Sequence, residues 1–115
     1  MRFNKLEKEV ALQATCGTSL KGYLARGIKF TDLYATFGEP TFKPEDSGDG
    51  KVNFEWVFEY KGEIFTIYDW KTYDAEYSLK EYDSWHVGGK TYSGNFIELI
   101  EQLIEKKCQN LQSLN

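Results

Sequence analysis

His86 is the only histidine of the chain, and it follows Asp83, Ser84 and Trp85, so a carboxylate, a hydroxyl and an imidazole fall within four residues. These are the side-chain types of an acyl-transfer triad. On a strand, however, only Ser84 and His86 share a side while Asp83 points the other way, so the three do not converge. Cys16 and Cys108 could offer a Cys/His nucleophile pair, but neither has a local signature for one. An enzyme centred on His86 is therefore the third of three readings. The same residues begin Trp85-His86-Val87-Gly88-Gly89, in which an aromatic plate, an imidazole and two unobstructed backbone N–H groups would suit a carboxylate or phosphate. Tyr68 or Trp85 would stack a base, with Gly88, Gly89, Lys90 or Arg26 near its phosphate. Sequestration of a nucleotide signal is thus the second reading, against the plainer alternative of a strand end followed by a turn. Pockets of that kind are often built between subunits, so a homo-oligomer belongs with it.

The first reading is a protein-binding surface. Glu55 and Glu59 alternate with apolar residues, Asp46 and Asp49 lie in the preceding loop, and Tyr68 and Trp70 follow. Carboxylates arranged this way can take the positions of nucleic-acid phosphates and meet a partner's Arg and Lys with charge-assisted hydrogen bonds. The loop from Thr41 to Gly50 also suggests calcium, with Glu45, Ser47, Asp49 and Gly50 at positions one, three, five and six of an EF-hand. Position twelve would then be Trp56 where the bidentate Glu is required, so the loop reads as a solvated acidic turn.

Composition narrows the classes further. The chain has 115 residues, enough for one domain (1–115) with a core that needs neither metal nor disulfide. Aromatic residues make up 17%, more than one small core requires, so some rings are expected on the surface. Fourteen basic against eighteen acidic residues give a net charge of -4, which argues against a general phosphate-backbone binder. The two cysteines lack CxxC or Cys/His spacing, so buried free thiols are expected and no metal or cofactor is indicated. No signal-peptide core and no run of roughly 18 apolar residues is present, so a cytoplasmic protein without a membrane span is expected.

These residues depend on a hairpin. Val52, Phe54, Trp56, Phe58 and Tyr60 alternate with Asn53, Glu55 and Glu59, Lys61-Gly62 supplies a two-residue turn, and Glu63 to Trp70 returns. Pairing across that turn makes partner numbers sum to 123. Phe58/Phe65 and Trp56/Ile67 then lie on a core face, and Glu55/Tyr68 and Val57/Thr66 on a half-wet one. Residues 3 to 14 read as a short helix passing into a strand. Thr18 to Leu24 reads as a strand with Leu20 and Leu24 on one face and Gly22 at a bulge or close approach. Phe30 to Pro40 reads as a short helix with Thr31 a candidate N-cap, Gly38 at C′ and Pro40 just beyond it. Lys71 to Lys80 reads as a loop, and Glu81 to Val87 as a strand ended by Gly88-Gly89. The broad apolar face of Phe96, Ile97, Leu99, Ile100, Leu103, Ile104 and Leu111 reads as a long helix capped by Ser93 or Asn95. The tail from Gln109 to Asn115 is expected to fray. The predicted fold is α+β: an antiparallel sheet with a central hairpin, packed by one short helix and one long C-terminal helix.

The segments GTSLKGYL, FGEP, DGKVNFEWVFEY, TIYDWK and WHVGG, in that order before a C-terminal helix, resemble a small protein family encoded by bacteriophages and prophages. The resemblance covers about Gly17 to Ile104. It implies an accessory role, and proteins of this size and origin often inhibit host defence, for instance as anti-CRISPR proteins. A host immune effector is the partner this implies, met in the bacterial cytoplasm.

Overall fold

The structure is a computed structural model and describes residues 3–113, with side chains as far as Asn110. Its elements run β1 (Phe3–Lys5), α1 (Lys8–Ala14), β2 (Ser19–Tyr23), α2 (Phe30–Phe37), a short 3₁₀ turn (Pro44–Asp46), β3 (Glu55–Tyr60), β4 (Glu63–Tyr68), α3 (Ala75–Lys80), β5 (His86–Gly89) and α4 (Gly94–Ser113). The strands form one antiparallel sheet in the order β1-β3-β4-β5-β2. The fold is α+β, as the hydrophobic patterning predicts.

The hairpin folds in the predicted register. Glu55 pairs with Tyr68, Trp56 with Ile67, Val57 with Thr66 and Phe58 with Phe65. Lys61 and Gly62 both take positive φ, 52° and 81°, the backbone of a tight turn that matches the twist of its strands. Trp56, Phe58, Phe65 and Ile67 point to one face, where α2 and α4 cover them. Phe37 packs edge-on against Phe58 at 5.0 Å, and Phe96 stacks on Phe65 at 4.5 Å. Leu33, Phe96 and Ile100 are fully buried in this core.

Several expectations are corrected. The N-terminal segment is a strand followed by a helix, the reverse of the expected order. Phe3 stacks on Phe58 at 5.2 Å and extends the sheet, while Val10 and Leu12 of α1 are exposed. The N-cap of α2 is Lys29 rather than Thr31, and the Asp32 carboxylate accepts the Lys29 N–H at 2.9 Å. Gly38 ends that helix at φ 79°. The segment expected to be a loop contains α3, whose N-cap Asp74 accepts from the Glu76 and Tyr77 N–H groups. Helix α4 continues through much of the segment expected to fray, up to Ser113. The side chain of Leu111 and residues 114–115 lie outside the described residues. Cys108 is half-buried, but Cys16 is exposed; both are free thiols.

The strand expected over 81–87 is confined to His86–Gly89, and its two glycines lie inside the sheet, paired to Thr66 and Phe65 on one side and to Leu20 and Ser19 on the other. A Cβ on Gly88 would stand 2.7 Å from Thr66 Oγ1, and one on Gly89 would stand 2.9 Å from Phe65 Cδ1. They are glycines because neighbouring side chains fill the space. The register of β2 shifts between Leu20 and Gly22, a bulge as expected. A Cβ on Gly22 would stand 2.9 Å from Ile97 Cδ1 of α4. The bulge also separates the two leucines expected on one face: Leu24 is buried and Leu20 is exposed.

Replacing Gly89 by Ala forces the Phe65 ring off Phe96 and should destabilise the fold by about 1–3 kcal/mol. Urea unfolding measures this directly, and a change below about 0.5 kcal/mol, the range of ordinary surface substitutions, would contradict the packing described.

Candidate functional site

The second face of the sheet carries the residues of interest. Register places Glu55 of β3, Tyr68 of β4, His86 of β5 and Tyr23 of β2 in one lateral row across four strands. Their rings touch: His86 lies 4.8 Å from Tyr23 and 5.4 Å from Tyr68, and Trp70 lies beside the middle of the row at 6.2 Å from Tyr68 and 6.3 Å from His86. Gly88 lets this row lie flat, since a Cβ there would come within 3.3 Å of the Tyr68 ring. Tyr23 belongs to the row only because of the β2 bulge, which returns Leu20 and Tyr23 to the same face. Counting strict alternation along the sequence misses it, although Gly22 marks where the irregularity falls.

The His86 ring is fixed from behind. Its Nδ1 stands 3.1 Å from the Ser84 carbonyl, which also accepts the Tyr82 hydroxyl at 2.6 Å; the Tyr82 oxygen in turn accepts the Trp70 N–H at 3.2 Å. With Nδ1 donating to that carbonyl, the imidazole presents Nε2 as its free nitrogen. The triad arrangement is not formed: the Ser84 hydroxyl bonds Asp83 at 3.4 Å, and His86 meets the Ser84 backbone rather than its side chain. Burial raises the Tyr82 hydroxyl to about 12, so it stays protonated and donating.

Glu55 closes the row at its inner end. Burial pushes its carboxyl up from 4.5 to about 7, opposed by a hydrogen bond from the Thr66 hydroxyl and reinforced by the charge of Asp69. Burial, followed by the Glu55 charge, also raises Tyr68. Leu12 of α1, Thr15 at its C-terminal cap, Phe42, Val52 and Asp46 share a hollow of about 240 Å³ with Glu55. Val57 and Thr66, also on this face, are sealed. The face expected to be half wet is therefore closed at its centre and open along the aromatic row.

The other predicted acids are partly engaged within the chain. Asp46 bonds Lys8 at 2.7 Å and accepts the Lys43 N–H at 2.9 Å; the Lys8 bond is the main reason its carboxyl is held below the ordinary range. Asp49 accepts the Lys51 N–H at 3.0 Å and sits 3.8 Å from the Lys51 ammonium. Glu59 is half-buried opposite Ile64.

The nucleotide corner does not assemble. Trp85 is fully buried on the core face, edge-on to Trp56 at 5.7 Å and Tyr82 at 5.0 Å, so it cannot stack a ligand. Gly88 and Gly89 are buried within β5 and paired on both sides, which leaves no open cradle of N–H groups. Lys90 is exposed and lies against Gly17. Arg26 stands instead beside Asp83, at 3.6 Å, in a cleft it shares with Trp70.

The Glu55 shift has a defined consequence for stability. Between about 4.5 and about 7 the folded protein holds a proton that the unfolded chain has released, so stability is greatest below the lower value and falls as pH rises through the upper one. The loss attributable to this group is on the order of 3 kcal/mol. Unfolding free energies measured across that window should decline more steeply for the natural chain than for Glu55→Gln; parallel curves would disprove the assignment.

Among the described residues, no helix is long and apolar enough to cross a membrane. Comparison with protein-family models, with curated proteins and with solved structures gives no match to this chain.

Proposed function

We propose that this chain is a non-enzymatic accessory protein of phage or prophage type that inhibits a bacterial defence component, such as a CRISPR nuclease or another immune effector, by binding it directly. The observation that carries the binding reading is the row Glu55–Tyr68–His86–Tyr23 with Trp70 against its two middle rings. Tyr23 is 57% exposed on a paired strand, and Trp70 is 41% exposed just past β4 with its N–H held by Tyr82 Oη. Large amphipathic rings held rigidly lose little entropy on contact and are the side chains most often found at the energetic centre of an interface. The defence setting comes from the resemblance of the GTSLKGYL to WHVGG segments to phage-encoded proteins.

The contact surface is aromatic first and acidic second. Asp46 is committed to Lys8 and Glu55 is protonated through much of the range below neutrality, so neither offers a dependable free charge. Asp49 and Glu59 remain as rim groups.

The test is phage plating on bacterial strains that each carry one defence system. Expression of the chain should restore plating on the strain carrying the target system. Tyr23→Ala/Trp70→Ala should reduce that restoration about tenfold or more. Asp46→Asn/Asp49→Asn should largely retain it. A folded double aromatic variant that restores plating as well as the natural chain would remove this face as the contact.

A further inference from the structure

Next to the row, a cleft of about 490 Å³ opens between the loop after β4 and the segment before β5, with Trp70, Tyr77 and Tyr82 as walls and Arg26, Lys71 and Asp83 at its mouth. Trp70 and Tyr77 are 41% and 49% exposed. Two features of this cleft attract positive charge, and each is held loosely by a cation of the chain itself. The Lys71 ammonium sits 5.5 Å from the centre of the Trp70 ring. The Arg26 guanidinium meets Asp83 through one contact at 3.6 Å, with 81% of its side chain in solvent. Such exposed pairs contribute little and exchange readily.

We infer that this cleft receives an arginine side chain of a basic partner, with the guanidinium against Trp70 and Tyr77 and paired to the Asp83 carboxylate after displacing Lys71 and Arg26. The inference rests on the protein-binding reading above and names the chemistry of the partner. A guanidinium is planar, weakly hydrated and able to stack on an aromatic face while its N–H groups fork onto a carboxylate. The cleft offers both surfaces side by side. The net charge of -4 favours a basic partner at long range. Asp74, the other carboxylate of the cleft, caps α3 by accepting the Glu76 and Tyr77 N–H groups, whereas Asp83 is engaged only by long contacts, the Ser84 hydroxyl at 3.4 Å and Arg26 at 3.6 Å, so Asp83 is the acid more readily re-paired.

The sign of two substitutions separates this site from an anion site. If Lys71 and Arg26 are displaced by the ligand, Lys71→Gln and Arg26→Gln tighten binding; if they hold an anion, both weaken it. The probes are acetyl-Gly-Arg-Gly-amide, the same tripeptide with citrulline for arginine, and inorganic phosphate, titrated into the ¹⁵N-labelled full chain. The arginine peptide should move the Trp70 indole N–H and the Tyr77 and Ser84 amides, and the citrulline peptide should not. Lys71→Gln and Arg26→Gln should each tighten the arginine peptide about two- to five-fold, and Trp70→Ala and Asp83→Asn should weaken it at least as much. The inference is overturned if the arginine peptide moves none of these resonances at millimolar concentration. It is equally overturned if phosphate moves them and Lys71→Gln weakens the effect. Should the peptide fail while plating still depends on Tyr23, only the arginine pocket is lost. Should the peptide bind while no defence strain responds to the protein, the inhibitor reading is lost and the pocket stands.

Discussion

The Asp69 carboxylate is fully buried, and five donors converge on it. One oxygen accepts the Asn53 and Phe54 N–H groups at 2.8 and 3.0 Å; the other accepts Ser78 Oγ at 2.5 Å, Asn53 Nδ2 at 3.2 Å and Thr72 Oγ1 at 3.5 Å. A buried carboxylate without such partners would be strongly destabilising, whereas a fully satisfied one fixes the geometry of everything that donates to it. Here the donors come from the approach to β3, the loop after β4, and α3. One side chain therefore ties the open end of the hairpin to the helix that follows it. Both the aromatic row and the cleft beside it are built at that end. The sequence puts Asp69 on the apolar side of its strand, where a backbone N–H or a lysine is the expected partner; the structure provides two backbone N–H groups, with an amide and two hydroxyls beside them.

What the sequence makes legible is what local periodicity controls. A two-residue turn at Lys61-Gly62 beside a strand that alternates except at Val57 leaves one register, and it is the register observed from Glu55–Tyr68 to Tyr60–Glu63. The 3.6-residue spacing of Phe96, Ile100 and Ile104 likewise leaves one buried face. Where tertiary contact decides, the pattern is silent or misleading. Val10 and Leu12 suggest burial but are exposed, and α1 buries only Ala11. Helix α3 offers only a narrow apolar pair, Ala75 and Leu79, packed against the core, and is held besides by the Asp74 cap and by Ser78 on Asp69, so Asp74 and the four-residue spacings of Ala75/Leu79 and Glu76/Lys80 were the short local signals for it. Gly88-Gly89 looks like punctuation, yet it is the place where Thr66, Tyr68 and Phe65 leave no room for a side chain.

The same division explains which candidate site residues come together. Tyr68, Trp70, His86 and Glu55 converge because register and strand neighbours place them so. Trp85 is lost from the site because it alternates with His86 and so faces the core, a separation that a count of two along a strand implies once β5 is known to be central. Tyr23 is gained because a bulge adds one residue to that count; Gly22 marks the place, but not which side chains the extra residue returns to the row.

The row and the cleft share more than the Trp70 side chain. The Trp70 N–H donates to Tyr82 Oη, Tyr82 donates to the Ser84 carbonyl, and His86 Nδ1 meets that same carbonyl. Tyr82 also forms a wall of the cleft. A ligand that shifted Trp70 or Tyr82 from the cleft side would have to break a 2.6 Å hydrogen bond at a group whose raised pKa keeps it a donor, or carry His86 along with it. The first is costly for a part-buried hydroxyl, since its acceptor has no equivalent replacement. The two surfaces are thus positioned by one short hydrogen-bonded chain, and a partner spanning both meets them already aligned, with little ordering left to do on binding.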